Sequence, residues 1–373
     1  MSVITENKLT IPFVNFQKRY VLQRDEILKG VDEVFSSGSY ILGEYVEKLE
    51  KGLSDYLNCP YVLTLANGTD AIILALKVLN IGAGDEVIIP VNSFIASAGA
   101  VAAVGATPVF CDVCNDLNID VSNIEKLITK KTKAILPVHL TGRPAEMNAI
   151  TKIARAYNLF VIEDAAQSIG ASYDGKFTGT IGDFGCFSLH PLKNLHAYGD
   201  AGIITTNNKD YYEQLKLLRN HGLKDRDTCA MWGLNSRMDS VQAKIVSLGL
   251  NHLDEWNAVR RRNAFRYQDA LRDVVMVPSD PDNLFSVYHN FVILTEKRDT
   301  LAYYLKENGI DTRVHYPIPL HLQPAAKNLN YKMGDFPVAE KLMEQMLSLP
   351  VCPELRDKEV TYVVSMIKEF FVC

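Results

Sequence analysis

The chain has 373 residues, 47% of them hydrophobic and 22% charged, values that support a large folded core and exclude a disordered chain. At roughly 150 residues per domain, that length predicts two domains. Lys and Arg number 39 against 44 Asp and Glu, so the net charge is −5 and there is no electrostatic footprint for nucleic acid or an anionic membrane surface.

The first ten residues, MSVITENKLT, hold no apolar core long enough for an export signal, so a cytoplasmic protein is expected. Over the first 240 residues, short β-branched runs alternate with helical stretches. Strands are expected at Tyr61 to Leu65, Glu86 to Pro90, Thr107 to Asp112, Ala134 to Val138, Leu159 to Glu163, Phe184 to Leu189 and Gly202 to Thr206. Helices are expected at Thr69 to Leu79, Glu146 to Tyr157 and Lys209 to Arg219. This alternation predicts βαβ units and a large, mostly parallel sheet covered on both faces. The uncharged run Phe94 to Cys111 is rich in Ala, Gly and Val and contains Pro108, which fits a buried helix and strand better than a membrane span. Cys111 and Cys114 have a Cys-x-x-Cys spacing, but no second pair or His cluster accompanies them, so no metal is expected. The seven cysteines are scattered, and a disulfide framework is not expected.

Near Ser240 the pattern changes. Val241 to Leu271 reads as one long charged helix joining two domains, with Arg260, Arg261 and Arg262 on a solvated face. Beyond it a strand is expected at Tyr288 to Leu294, and helices at Leu301 to Asn308 and Val338 to Met346. The expected division is a large α/β domain over 12–240 and a smaller C-terminal α+β domain over 241–373.

Three short segments at the ends of strands could carry chemistry. Asn67-Gly68-Thr69-Asp70 lies between a strand and a helix, where free N–H groups favour a phosphate, although the same residues would serve as an ordinary N-cap. Glu163-Asp164 ends a buried strand, where a carboxylate needs a cationic nitrogen or caps the next helix. Lys193 lies in a turn after the strand beginning at Phe184, as a solvated charge or as an amine able to condense with an aldehyde. His139 and His190 could line the same pocket or be structural. A phosphate cradle, a carboxylate for a ring nitrogen and an amine for an aldehyde together suit pyridoxal phosphate.

The residues that carry a family resemblance are NGTDAI from Asn67, GDEVIIPVNSFIASA from Gly84, PVHLTGRPAEM from Pro137 and EDAAQSIGA from Glu163. They continue with FSLHPLKNL from Phe187, GDAG from Gly199, GLNSRMDSVQA from Gly233 and RVHYPIPLHLQPA from Arg313. In this order, from about Ile11 to Pro324, the sequence resembles the DegT/DnrJ/EryC1/StrS sugar aminotransferases, which are fold-type-I pyridoxal-phosphate enzymes of aspartate-aminotransferase-like architecture with a seven-stranded sheet. The resemblance implies that Gly68, Thr69, Asp70 and Ser188 hold the cofactor phosphate and that Phe94 stacks on its ring. Ala166 would lie under the ring, Gln167 would bond the ring hydroxyl, Asp164 would pair with the ring nitrogen and Lys193 would take the aldehyde. It also implies that Asn235 reaches the phosphate of a neighbouring subunit in a homodimer, and that His190, Arg313, His315, Tyr316 and His321 border the sugar site.

The implied reaction moves an amino group from L-glutamate or L-glutamine to a keto sugar, passing through pyridoxamine phosphate. The acceptor would be a nucleotide-linked 3- or 4-keto-6-deoxy sugar, for a surface polysaccharide or a secondary metabolite. Alternatives are a keto-cyclitol or small phosphorylated ketone as acceptor, and a regulatory protein that keeps the fold without turnover. Related sugar dehydratases carry His where Lys193 stands, so Lys193 favours transamination. The turn His139 to Pro144 departs from the commoner Tyr-Gly-Gln-Pro form, which leaves the sugar unassigned.

Overall fold

The structure is a computed structural model that describes residues 9–372; the first eight residues, within the segment read for an export signal, and Cys373 lie outside the described residues. Two helices come first, α1 (Phe16–Ser37) and α2 (Glu44–Leu57). Strand and helix then alternate through β1 (Tyr61–Leu65), α3 (Gly68–Val78), β2 (Glu86–Pro90), α4 (Ile95–Ala103), β3 (Thr107–Cys111) and α5 (Val121–Leu127). They continue with β4 (Thr132–Ile135), α6 (Met147–Tyr157) and β5 (Phe160–Asp164). A small hairpin, β6 (Ser172–Tyr173) and β7 (Lys176–Phe177), precedes β8 (Phe184–Ser188), β9 (Gly202–Thr206) and α7 (Lys209–Arg219).

Seven of these strands form one sheet in the order β1-β9-β8-β5-β4-β2-β3. Strand β9 runs against both its neighbours, and every other pair is parallel. Apolar runs such as Val87 to Ile89 are fully buried, as strands covered on both faces require. Because β9 reverses direction between β1 and β8, strands β1, β8, β5 and β2 all point the same way, and the turns after them gather along one edge. Two glycines allow that convergence. A Cβ on Gly202 would lie 2.3 Å from the Asn67 carbonyl carbon, and one on Gly68 would lie 2.9 Å from the Ser188 Cβ, so the start of α3 can rest directly on β8 and β9.

The run Phe94 to Cys111 is α4 followed by β3, and no helix among the described residues is long and apolar enough to cross a membrane. Burial pushes the Cys111 thiol up to about 12 and the Cys114 thiol up to about 11, so neither is a thiolate at neutral pH.

The single long helix expected over 241–271 is two helices, α8 (Ser240–Leu250) and α9 (Leu253–Leu271). The break at Asn251 and His252 folds Trp256 back over Gly249, where a Cβ would meet the indole at 3.4 Å. Helix α8 packs on α1 and α2 and joins the core beside β1 and β9, so it belongs with the large sheet. The rest of the chain is β10 (Leu284–Phe285), β11 (Phe291–Leu294), α10 (Arg298–Glu307), α11 (Pro337–Gln345), β12 (Met346–Leu349) and α12 (Asp357–Val372). Antiparallel β11 and β12 pack with α9, α10 and α12 around Tyr267 and Phe291, and Ile11 joins this second core. Strand β11 starts three residues later than the sequence predicts. Tyr288 takes a left-handed φ of 44°, and the Asn290 N–H turns to the Thr141 carbonyl at 3.2 Å.

Candidate active site

The turns after β1, β2, β5 and β8 enclose a cavity of about 330 Å3, closed from the C-terminal part by His289, His315 and Tyr316. The start of α3 forms one end. Asn67 caps the helix, its Oδ1 accepting from the Asp70 N–H at 2.8 Å. Gly68 and Thr69 precede the first intrahelical bond and present their N–H groups to the cavity, with Ser188 alongside.

Asp164 ends β5, buried to 6% exposure. Its Oδ2 accepts from the Ser97 hydroxyl at 2.8 Å and its Oδ1 from the Ala166 N–H at 3.2 Å, which fixes the carboxylate plane. Gln167 is oriented by the backbone: the Thr141 N–H donates to its Oε1 at 2.6 Å, so Nε2 is the end left to donate, 3.3 Å from the Tyr316 hydroxyl. Phe94 sits at the head of α4 with its ring 5.5 Å from that of Tyr316, half exposed over the cavity. Lys193 lies in a turn closed by its own N–H to the His190 carbonyl at 2.8 Å. Arg19 of α1 secures this turn. It donates to the Pro191 carbonyl at 2.9 Å and pairs at 2.6 Å with Glu354, and both side chains are buried.

Burial pushes the Lys193 amine down to about 8, against the opposing pull of the Asp164 carboxylate. Its ordinary value is 10.5, so between these two values the unfolded chain holds more protons than the folded one, and stability of the cofactor-free protein rises with pH across that window. Lys193→Met removes this contribution. The variant is expected to melt above the cofactor-free wild type below pH ~8, with the gap closing as pH approaches ~10.5. Thermal melts of both proteins across that range check it, and a gap that stays constant would contradict it.

Not every expected residue reaches the cavity. Both groups of Asp70 are engaged elsewhere: its N–H bonds Asn67 and its carboxylate accepts from the Ser236 hydroxyl at 2.6 Å, so it supports the helix start and does not face the phosphate end. Asn235 is exposed on a segment bridged to Asn220, outside this cavity. Arg313 pairs with Asp311 at the surface. His321 is also displaced from the expected place. Its ring is buried, 2.9 Å from Glu340 and edge-on to Phe336, because the preceding Leu320 N–H is pinned to the Val91 carbonyl at 2.8 Å. His321 therefore anchors the loop whose upstream residues His315 and Tyr316 do line the cavity. His190 lines it from the exposed side. His139 is structural, held between Glu163 at 2.9 Å and the Ala145 N–H at 3.0 Å. Ser97, Thr141 and His289 were not singled out from the sequence. Ser97 carried one faint signal, a hydroxyl inside an otherwise apolar buried helix.

The residues present fit a pyridoxal phosphate. The glycine-lined start of α3 leaves backbone donors for the phosphate. A buried carboxylate with fixed orientation would suit a ring nitrogen, an amide donor a ring hydroxyl, and a desolvated amine an aldehyde.

The profile of the DegT/DnrJ/EryC1/StrS aminotransferase family matches residues 22–368, and the chain belongs to that family. It is 44% identical to the pleiotropic regulatory protein of Geobacillus stearothermophilus, covering 97% of this chain and 99% of that one. It is 41% identical to the UDP-N-acetyl-3-dehydro-alpha-D-glucosamine 3-aminotransferase of Acidithiobacillus ferrooxidans, over 98% and 99% of the two chains. The crystal structure of S. venezuelae DesV in complex with a ketimine intermediate superposes with a TM-score of 0.95 at 38% identity, covering 97% of this chain and 98% of that one.

Proposed function

We propose that this protein is a pyridoxal-phosphate-dependent aminotransferase that moves the amino group of L-glutamate or L-glutamine onto a nucleotide-linked keto sugar, in the cytoplasm. The observation that carries the reading is Lys193, a desolvated amine facing Asp164 in a cavity that ends in open helix N–H groups. The family is pyridoxal-phosphate-dependent, and the relative named for a UDP-linked 3-dehydro sugar supports the acceptor class. A 3- or 4-keto-6-deoxy sugar is the acceptor proposed.

When bound, the cofactor supplies an aldehyde that exchanges for an amine and a ring that takes up an electron pair. The chain does the rest. Gly68, Thr69 and Ser188 hold the phosphate, Phe94 and Ala166 flank the ring, and Gln167 Nε2 donates to the ring hydroxyl. Asp164 keeps the ring nitrogen protonated, because an anion in a buried site strongly favours the charged form of its partner. The Lys193 amine, once free, carries the proton between the two carbons that exchange it.

Single-turnover absorbance tests the acceptor side. Tyr316→Phe removes a hydroxyl that borders the cavity and is expected to slow the half-reaction with the keto sugar by about tenfold, while the half-reaction with glutamate changes little. Equal losses in both halves would assign Tyr316 to Gln167 and the cofactor instead. The name of the Geobacillus relative favours a second reading, a regulatory protein that keeps the fold. A protein that binds the cofactor, yet whose near-visible absorbance does not change with L-glutamate or L-glutamine, would support it.

We also propose a homodimer in which Asn235 of one chain completes the phosphate site of the other. Its support is that Asn235 is exposed and lies outside its own chain's cavity. A two-fold interface is isologous. A mixed dimer of Lys193→Ala and Asn235→Ala chains would then concentrate both defects in one site and leave the other intact. Half the wild-type activity is expected, and a mixed dimer without a competent site would return Asn235 to its own chain's pocket.

A further inference from the structure

His289 borders the cavity that holds Lys193, and a chain of amides fixes its ring. The Ile169 carbonyl accepts from Asn257 Nδ2 at 3.1 Å, which turns Asn257 Oδ1 toward Asn194 Nδ2 at 2.8 Å. Asn194 Nδ2 also reaches the Val287 carbonyl at 3.2 Å. Both amide hydrogens of Asn194 are then engaged, and its Oδ1 faces His289 Nδ1 at 3.3 Å. An amide oxygen only accepts, so Nδ1 carries the hydrogen and Nε2 is left as a bare acceptor. No hydrogen bond reaches Nε2 among the described residues. The backbone is held in an uncommon shape to place this ring. Tyr288 has a φ of 44°, unfavourable for a bulky residue, and Arg260 grips the Tyr288 and His289 carbonyls at 3.4 and 3.2 Å.

The Lys193 ammonium shares the cavity, and it offers three donors and no acceptor. We propose that His289 is a positioning residue for Lys193: its Nε2 accepts a hydrogen bond from the amine, and Asn194 and Asn257 hold the ring in the tautomer that can do so. Asp164 faces Lys193 from β5. Burial first, and then the positive charges of Lys193, Arg260 and Arg19, keep the His289 imidazole well below its ordinary range, hence neutral; His315, which also faces it, is itself neutral. The proposal rests on Lys193 as the reactive amine for its use, and not for its geometry.

Two substitutions separate this role from bracing. His289→Asn keeps a donor near the Nδ1 position for Asn194 and removes the acceptor. His289→Gln supplies an acceptor near the Nε2 position and gives up the link to Asn194. The readout is the pH dependence of Lys193 labelling by trinitrobenzenesulfonate in the full-length, cofactor-free chain, followed on the Lys193 peptide by mass spectrometry. A hydrogen bond to the charged form favours that form, so the Lys193 midpoint is expected to fall by about one pH unit in His289→Asn and to return toward wild type in His289→Gln. The reverse pattern, or wild-type behaviour in His289→Asn, would overturn the proposal. Nitrogen-15 spectra of the wild-type ring give a test that needs no variant: a neutral ring with the proton on Nδ1 is expected, and a proton on Nε2 would overturn it. Neither readout uses turnover, so failure of the aminotransferase reading is distinguished separately by the absorbance response to L-glutamate.

Discussion

Lys193→Ala is expected to lower transamination by about a thousandfold or more while the fold persists. In the proposed reaction the side chain supplies both the amine that holds the cofactor aldehyde and the base that moves the proton, so no neighbour would replace it. The turn itself survives the change, because its shape comes from backbone bonds: the residue-193 N–H to the His190 carbonyl at 2.8 Å, the Ala197 N–H to the Leu189 carbonyl at 2.7 Å, and Arg19 on Pro191. Circular dichroism and melting report the fold, and loss of near-visible absorbance in the cofactor-loaded protein reports the missing amine. Wild-type turnover in this variant would remove Lys193 from the chemistry.

Asp164→Asn is expected to slow both half-reactions by about a hundredfold to a thousandfold and to leave the cofactor bindable. The phosphate end and Gln167 do not depend on Asp164. With its Oδ1 accepting from the Ala166 N–H and its Nδ2 donating to the Ser97 hydroxyl oxygen, the amide would keep both contacts, so the loss isolates the charge. An amide does not keep a ring nitrogen protonated, and the ring then takes up electrons poorly. Pre-steady-state absorbance with L-glutamate measures the first half-reaction directly. Unchanged rates would make the carboxylate a cap for the turn that follows β5.

The parts of the site that could be read from the sequence are those built from neighbours in the chain. Asn67 to Thr69, Asp164 to Gln167 and Ser188 to Lys193 each follow a β-branched run, and a strand end already says which edge of the sheet such residues occupy. Ser97 and His289 could not be read this way. Each acts on a residue distant in sequence, and a serine in an alanine-rich helix or a histidine after a tyrosine has no local pattern of its own. Asp70 and His321 show the complementary limit: their segments pass the cavity, but Ser236, far along the chain, and Glu340, on the helix that follows, take up their side chains. The broken helix at Asn251 shows the same limit, since charge and amphipathicity run straight through a bend that only the packing of Trp256 on Gly249 explains.

Arg19 ties together residues that are separated by most of the polypeptide: its guanidinium meets the Lys193 turn on one side and Glu354 on the other. During synthesis the sheet can assemble long before residue 354 leaves the ribosome, but the turn bearing the reactive amine lacks one of its clamps until then.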